Sequence, residues 1–225
     1  MTGRVNPTRR YDSPLRRQQA AATREAMLEA AGRLFAERGY PATSMEVVAA
    51  AAGVSLKTVY LAFTTKSGLL RAVWDLKLKG DQDSAAVADR SWYRDVLGEP
   101  DPRQQLRLTA RNSRIVKERI GDIMNVIRSA AQADPAAAAL WQLINTDFHA
   151  NQQAIVESLA AKRALRPGLT TARATDLLWT LNHPDVWLLL VRERGWTPAE
   201  WETWFSDSAC WQLLAPRTEM AGGSR

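Results

Sequence analysis

Between Arg24 and Trp74 the chain alternates short apolar stripes with helix stop and start signals, a pattern that leaves room only for small, closely spaced helices. Met27, Ala30, Ala31, Leu34 and Phe35 recur at i, i+3, i+4, i+7 and i+8, one face of a 3.6-residue helix. Gly39 ends that helix as a left-handed cap and Pro41 follows. Thr43-Ser44-Met45-Glu46 reads as a capping box, the Thr43 hydroxyl taking the amide of Glu46 while the carboxylate reaches back. The short helix it opens has Val48, Ala49 and Ala52 inward and stops at Gly53. Ser55 then caps a third helix with Val59, Tyr60 and Phe63, Thr64-Thr65 breaks it, and a fourth starts near Lys66 with Leu69, Leu70, Val73 and Trp74 on one face. Two short helices joined by a three-residue turn that contains glycine fit a helix-turn-helix.

The rest of the 225-residue chain shows no strand-like alternation, so the expected class is all-α, with about nine helices. Asp81–Ser84 and Gly98-Glu99-Pro100 read as loops flanking a weak helix with Trp92, Tyr93 and Val96. Asp101-Pro102 opens a helix to about Arg119, and Gly121 separates it from an apolar segment ending near Ile127. Asp134-Pro135 opens a long helix to about Leu165, closed by Pro167-Gly168. A further helix runs from Thr170 or Thr171 to Arg194 with a break where His183 precedes Pro184, and Thr197-Pro198 starts the last. The expected organisation is a flexible basic arm (1–20), a helix-turn-helix domain (21–66), a helical effector-binding and dimerisation domain (67–215) and a flexible tail (216–225).

Charge separates these parts. Residues 1–80 hold 13 Lys/Arg against 6 Asp/Glu, while the remainder holds 17 against 18. A basic module joined to a balanced one suggests a polyanion-binding head on a body with another task, although a solvated basic tail is an equal reading of charge alone. The single Cys210 has no partner for a disulfide within the chain, which favours a reducing, cytoplasmic setting. No stretch approaches the ~18–20 uncharged apolar residues of a membrane span. The pairs Arg9-Arg10 and Arg16-Arg17 lack the apolar run of an export signal behind them, since Arg24, Glu25 and Glu29 stand there. Two histidines, 149 and 183, and one cysteine offer no metal or nucleophile motif, so neither an enzyme nor a cofactor is expected.

The run AAGRLFAERGYPATSMEVVAAAAGVSLKTVYLAFTTKSGLL, residues 30–70, resembles the tetracycline-repressor (TetR) family of transcription regulators. The shared features are the end of helix 1 (Leu34-Phe35 to Gly39-Tyr40), the Thr43-Ser44 cap, Ala52-Gly53-Val54-Ser55, Thr58-Val59-Tyr60, Phe63, and Lys66 followed by Leu69-Leu70. In a helix-turn-helix the second helix of the pair enters the major groove, its first turn reaching base edges while caps and amides hold phosphates. Here that helix begins at Ser55, with Leu56, Lys57, Thr58 and Tyr60 at or near its start. Lys57 suits guanine O6/N7 or a phosphate, Thr58 a phosphate or a thymine methyl, and Tyr60 a phosphate or the core. The resemblance implies that Thr43, Ser44 and Met45, beside Glu46, face DNA at the preceding helix, and that Lys66 binds backbone. Leu56 and Leu61 stand where relatives are often polar, and Leu56 reads equally as a thymine-methyl contact or as apolar cover. The arginines of the arm suit an adjacent minor groove, or only non-specific attraction.

A lone helix-turn-helix buries little DNA, so a two-fold homodimer on a pseudo-palindromic operator is expected. Six of the nine Trp lie in residues 171–214, and a segment so aromatic favours an interface over intrachain core. Candidate interface residues are Leu178, Leu181, Trp187 and Leu190, with Trp201, Trp204, Phe205 and Trp211 on the last helix. The resemblance also implies a small-molecule effector bound among the middle helices. Candidate lining residues are Met124, Ile127, Arg128 and Trp141, with Phe148, His149 and Trp179, although each reads more readily as packing, the usual role of Met and aromatic stripes at helical spacing. The reading is a dimeric DNA-binding transcription regulator, a repressor by preference; the alternatives are a helical interaction module with a degenerate helix-turn-helix, or an enzyme without a recognisable motif.

Overall fold

The computed structural model describes residues 14–80 and 90–216, which are helical nearly throughout. Arg4, Arg9 and Arg10 of the expected arm, the expected loop Asp81–Ser84, and residues 217–225 lie outside the described residues. The chain divides into two compact units, Met1–Val73 and Trp74–Arg225, so the division falls inside a helix rather than at residue 66.

The first unit contains α1 (Pro14–Arg38), α2 (Met45–Ala51), α3 (Leu56–Phe63) and the first part of α4 (Lys66–Lys79). Residues 14–20 were expected in the arm, yet they are helix. Burial does not hold them, because residues 15–22 are exposed on every side. Proline suits a first helical position, and Ala, Gln, Arg and Leu prolong a helix already nucleated by the stripe from Met27 to Phe35. Gly39 and Gly53 stop α1 and α2 with φ of +76° and +67°, a conformation that glycine adopts without a Cβ penalty. The turn after α3 is tighter, with Thr64 at φ 62° and the Thr65 hydroxyl accepting the Gly68 amide at 2.9 Å. Met27, Leu34, Phe35, Val48, Val59, Phe63, Leu69 and Leu70 form the buried interior of this unit.

The second unit is built from α5 (Ser91–Gly98), α6 (Pro102–Ala130), α7 (Pro135–Ala161), α8 (Thr171–Leu181), α9 (Pro184–Trp187) and α10 (Pro198–Leu213). Asp101 and Asp134 cap α6 and α7 ahead of Pro102 and Pro135, as the sequence signals require. Gly121 does not interrupt α6, because one glycine in a 29-residue helix costs only about 1 kcal/mol. The long helix α7 ends at Ala161, not Leu165: Arg163 turns to φ 54°, and Leu165 bridges to Leu214 instead. His183 starts α9, its Nδ1 accepting the Asp185 amide at 3.2 Å, and the helix widens into a π-helical segment, Leu188–Glu193. Thr197 and Glu200 form a full capping box at α10. The core is filled by Leu106, Val156, Leu159, Leu178, Trp201 and Phe205, from α6, α7, α8 and α10.

Two glycines make opposite demands. A Cβ at Gly68 would stand 2.4 Å from the carbonyl oxygen of Phe63, whereas one at Gly121 meets nothing within 4 Å. Gly68→Ala should therefore destabilise the protein by about 1–3 kcal/mol. Gly121→Ala should stabilise it by about 0.5–1 kcal/mol. Denaturant melts of the two variants, with the same sign for both, would contradict this account.

Candidate functional site

The chain axis turns by 113° between α2 and α3, within the range of helix-turn-helix pairs. Val59 and Phe63, one turn apart, are buried, which rotates the opposite side of α3 outward. Arg24 secures the far end: its Nη1 donates to the Ala62 carbonyl at 3.1 Å and its guanidinium lies 4.4 Å from the Phe63 ring centroid. That contact satisfies one of the carbonyls a helix C-terminus leaves open. Ser55 caps the near end, accepting the Thr58 amide at 3.1 Å, and its hydroxyl lies 2.8 Å from that of Thr58.

On the outward side Lys57 is exposed, Tyr60 is 46% exposed and Leu61 76%, while Leu56 and Thr58 are half-buried. Leu61 belongs with the candidate reading residues by exposure; its departure from the family pattern was the signal for it. Lys66 is half-buried, its ammonium 4.1 Å from the Tyr40 ring centroid and donating to the Pro41 carbonyl at 3.4 Å.

The start of α2 differs from expectation by one residue. Ser44, not Thr43, is the N-cap and accepts the Val47 amide at 3.3 Å. Thr43 is fully buried, its hydroxyl within hydrogen-bond reach of the carbonyl oxygens of Leu34 (3.2 Å) and Gly39 (2.9 Å), so it fastens α1 to α2 and does not face DNA. Met45 is 4% exposed and joins Val48 and Ala49 on the inner face, which removes it too from the reading surface. Glu46 remains outside, its carboxyl held below the usual range by a hydrogen bond with the Ser44 side chain and by one from its own backbone amide.

In the second unit, Met124 and Ile127 are buried packing residues. Arg128 pairs with Asp185 and lies 5.5 Å from the Trp141 ring centroid. His149 is exposed on the outer side of α7, so it does not line the interior. His183 is the histidine found there, its ring 4.7 Å from Trp179 and 6.2 Å from Phe148. Burial lowers its pKa, against the pull of Asp185.

A residue absent from the sequence expectations lies beside this aromatic group. Lys117 is buried, with its ammonium 4.9 Å from the Trp201 ring centroid and 5.7 Å from that of Phe148. It donates to Asn182 Oδ1 at 2.6 Å, and Asn182 Nδ2 donates to Ser113 Oγ and Gln152 Oε1, both at 3.0 Å. The signal was available: Leu106, Ala110, Lys117, Ile120, Met124 and Ile127 follow one helical stripe, and only one of them is charged.

Four expected interface residues are interior. Leu178, Trp187, Trp201 and Phe205 are buried within their own chain, Trp187 packing edge-on to Trp201 at 5.0 Å and Trp201 stacking on Phe205 at 5.1 Å. Leu181, Leu190 and Trp204 are half-buried, and Trp211 is 78% exposed. Among the described residues no group of three His, Cys, Asp or Glu is placed to hold a metal, and no single helix is long and apolar enough to cross a membrane.

Burial pushes the Lys117 ammonium down from 10.5 to about 7. Above pH 7 the unfolded chain then holds a proton that the folded chain has released, so this residue's contribution to stability rises between about pH 7 and 10.5. Lys117→Met should lose that upward slope, so in melts at pH 7, 8 and 9 its Tm should fall step by step relative to that of the wild type.

Residues 27–73 match the family model of bacterial regulatory proteins, tetR family. The chain is 40% identical over 60 residues to the HTH-type transcriptional regulator AcrR of Shigella flexneri, covering 27% of this chain and 28% of the relative. It is 46% identical over 52 residues to the HTH-type transcriptional repressor ComR of Escherichia coli K12, covering 23% and 25%. The aligned segments thus span about a quarter of each relative. Solved structures match over far more of the chain. A putative TetR-family regulator from Mesorhizobium loti superposes with a TM-score of 0.65 at 22% identity, covering 85% of this chain and 95% of its own. The SmeT–triclosan complex gives 0.69 at 20%, covering 90% and 96%. Residues 27–73 are thus the helix-turn-helix domain of the bacterial tetR regulatory family, in a chain that has the fold of that family's structures over most of its length.

Proposed function

We propose that this protein regulates transcription, as a repressor, by binding a pseudo-palindromic duplex operator as a homodimer whose affinity is set by a small molecule held in the second unit. The observation that carries the reading is α3: capped at both ends, anchored by Val59 and Phe63, and presenting Lys57, Tyr60 and Leu61 outward. Lys57 supplies a base-edge or phosphate contact, Tyr60 a phosphate contact, and Leu61 an apolar contact of the kind a thymine methyl makes. Ser44 and Ser55, at the starts of α2 and α3, sit where free amides and hydroxyls meet phosphate.

The dimer surface in this proposal is the outer face of α10. Trp204 and Trp211 are seven residues apart and so share a face, with Leu189 and Leu190 of the π-helical segment adding apolar surface. Trp196 and Trp204 meet edge to face at 6.2 Å and line an open groove of about 480 Å³ with Ala199, Glu200 and Thr203. Support for an effector comes from the fold of the triclosan complex and from the polar and aromatic cluster around Lys117. The readings of an interaction module or an enzyme have no comparable observation behind them.

Selection of bound fragments from a random DNA pool should return a two-fold symmetric sequence, and a pool with no shared sequence would reject the reading. Lys57→Ala should weaken binding to the selected site by about 1–3 kcal/mol if it reads a base, or uniformly on all duplexes if it holds phosphate. In the latter case the log–log salt slope should fall by about one. Trp211→Glu should yield a monomer by sedimentation with helicity unchanged; an intact dimer would exclude the outer face of α10.

A further inference from the structure

We infer that the interior of the second unit binds a small organic carboxylate, its negative charge received by the Lys117 ammonium between the Phe148 and Trp201 rings. The inference rests on the proposed effector role of this unit and adds the chemical class of the ligand.

Donors outnumber acceptors around Lys117. Lys117 offers three N–H donors and meets one acceptor, Asn182 Oδ1. The rest of that network is closed: Asn182 Nδ2 serves Ser113 and Gln152, and Gln152 Nε2 donates to the Phe148 carbonyl. The aromatic group next to it holds further buried donors that meet no acceptor, Trp201 Nε1 and Trp179 Nε1. Trp201 is fully buried and belongs to the ring over which Lys117 lies, while Trp179 joins the same aromatic group through His183 and Phe148. A buried surplus of N–H groups around a cation is complementary to an acceptor-only anion, and a carboxylate is the simplest organic one.

The protein supplies no such anion itself. Glu202 of α10 is paired with Arg114 of α6, and Asp185 of α9 is paired with Arg128. His183 faces the group with its pKa lowered by burial, which favours the neutral ring, so it adds no charge of either sign. The aromatic rings reduce the cost of burying the ammonium but leave its N–H groups unsatisfied. Phe148, Trp179 and Trp201 provide apolar walls for the body of an organic acid.

The test uses the full chain and three probes, benzoate, 4-phenylbutyrate and decanoate, each beside its primary amide. Binding is read from indole fluorescence and thermal shift. At least one carboxylate should bind about tenfold or more tightly than its amide, and Lys117→Met, checked for helicity, should lose that preference. Affinity should be flat below about pH 7 and fall by up to tenfold per unit above it, since binding holds the lysine proton. Lys117→Arg, charged throughout, should bind with no such fall. Equal binding of acid and amide, an unaltered preference in Lys117→Met, or no binding of any carboxylate at 10 mM would overturn the inference. Operator affinity is measured in parallel to separate the two claims. Lys117-dependent carboxylate binding without a change in DNA affinity would sink the effector role and leave the anion site standing, and release of DNA by a neutral ligand alone would do the reverse.

Discussion

A helix can read a groove only if its outward side chains are fixed by its inward ones, and in this protein that fixing is done by Val59 and Phe63. Both are buried, and they are four residues apart, so they define one edge of α3 and leave Lys57 and Leu61, also four apart, on another. Arg24 couples this arrangement to α1 by two interactions, a hydrogen bond to the open carbonyl of Ala62 and a stacked guanidinium over Phe63. The close approach at Gly68 sets how α4 leaves α3. The α1–α2 corner is held in a comparable way by the buried Thr43 hydroxyl, which bridges to the carbonyls of Leu34 and Gly39. A short helix of eight residues has little stability alone, so its orientation depends on these few contacts.

Punctuation was the most legible part of the sequence. Gly39, Gly53, Ser55, Asp101, Asp134, His183 and Thr197 each begin or end the helix that local chemistry assigned to them, because a cap is a short-range interaction between neighbours in the chain. The slip at the start of α2 shows the limit. Thr43 and Ser44 are both good cap residues, and which one caps was decided by a long-range fact, the buried hydrogen bond from Thr43 back to α1. That choice also moved Met45 from the outer to the inner face. Residues 14–20 erred in the other direction, since high propensity extended a helix where no apolar stripe asked for one.

The tryptophans show what periodicity cannot separate. Along α10 one stripe runs through Trp201, Phe205, Ala209 and Leu213, all buried, and another through Trp204 and Trp211, partly or largely exposed. Both carry Trp, so composition marks the helix as apolar on two sides without saying which side meets its own chain. The same ambiguity governed the histidines. His149 follows Phe148 on α7, about 100° further round the helix, and here Phe148 is half-buried while His149 is exposed. His183 was set apart by its role as a helix start, and that role is what carries its ring to Trp179.

Lys117 is the residue that packing does not account for. Methionine or leucine at this position would continue the stripe from Leu106 to Ile127 at similar volume, with no ammonium to desolvate, and replacing buried charge by apolar side chains is often neutral or stabilising. Loss of the lysine would free Asn182 Oδ1, a smaller cost than burying a cation. The fold would therefore be served as well or better without it. A buried cation that opposes the stability of its own site, in an aromatic group whose indole N–H donors lack acceptors, suits a charge the chain does not provide. In such a site the incoming anion would relieve the electrostatic penalty of burial. Its binding energy would thus be tied to the packing of α6, α7, α8 and α10 around Lys117, the elements through which occupancy can bias the arrangement of this unit.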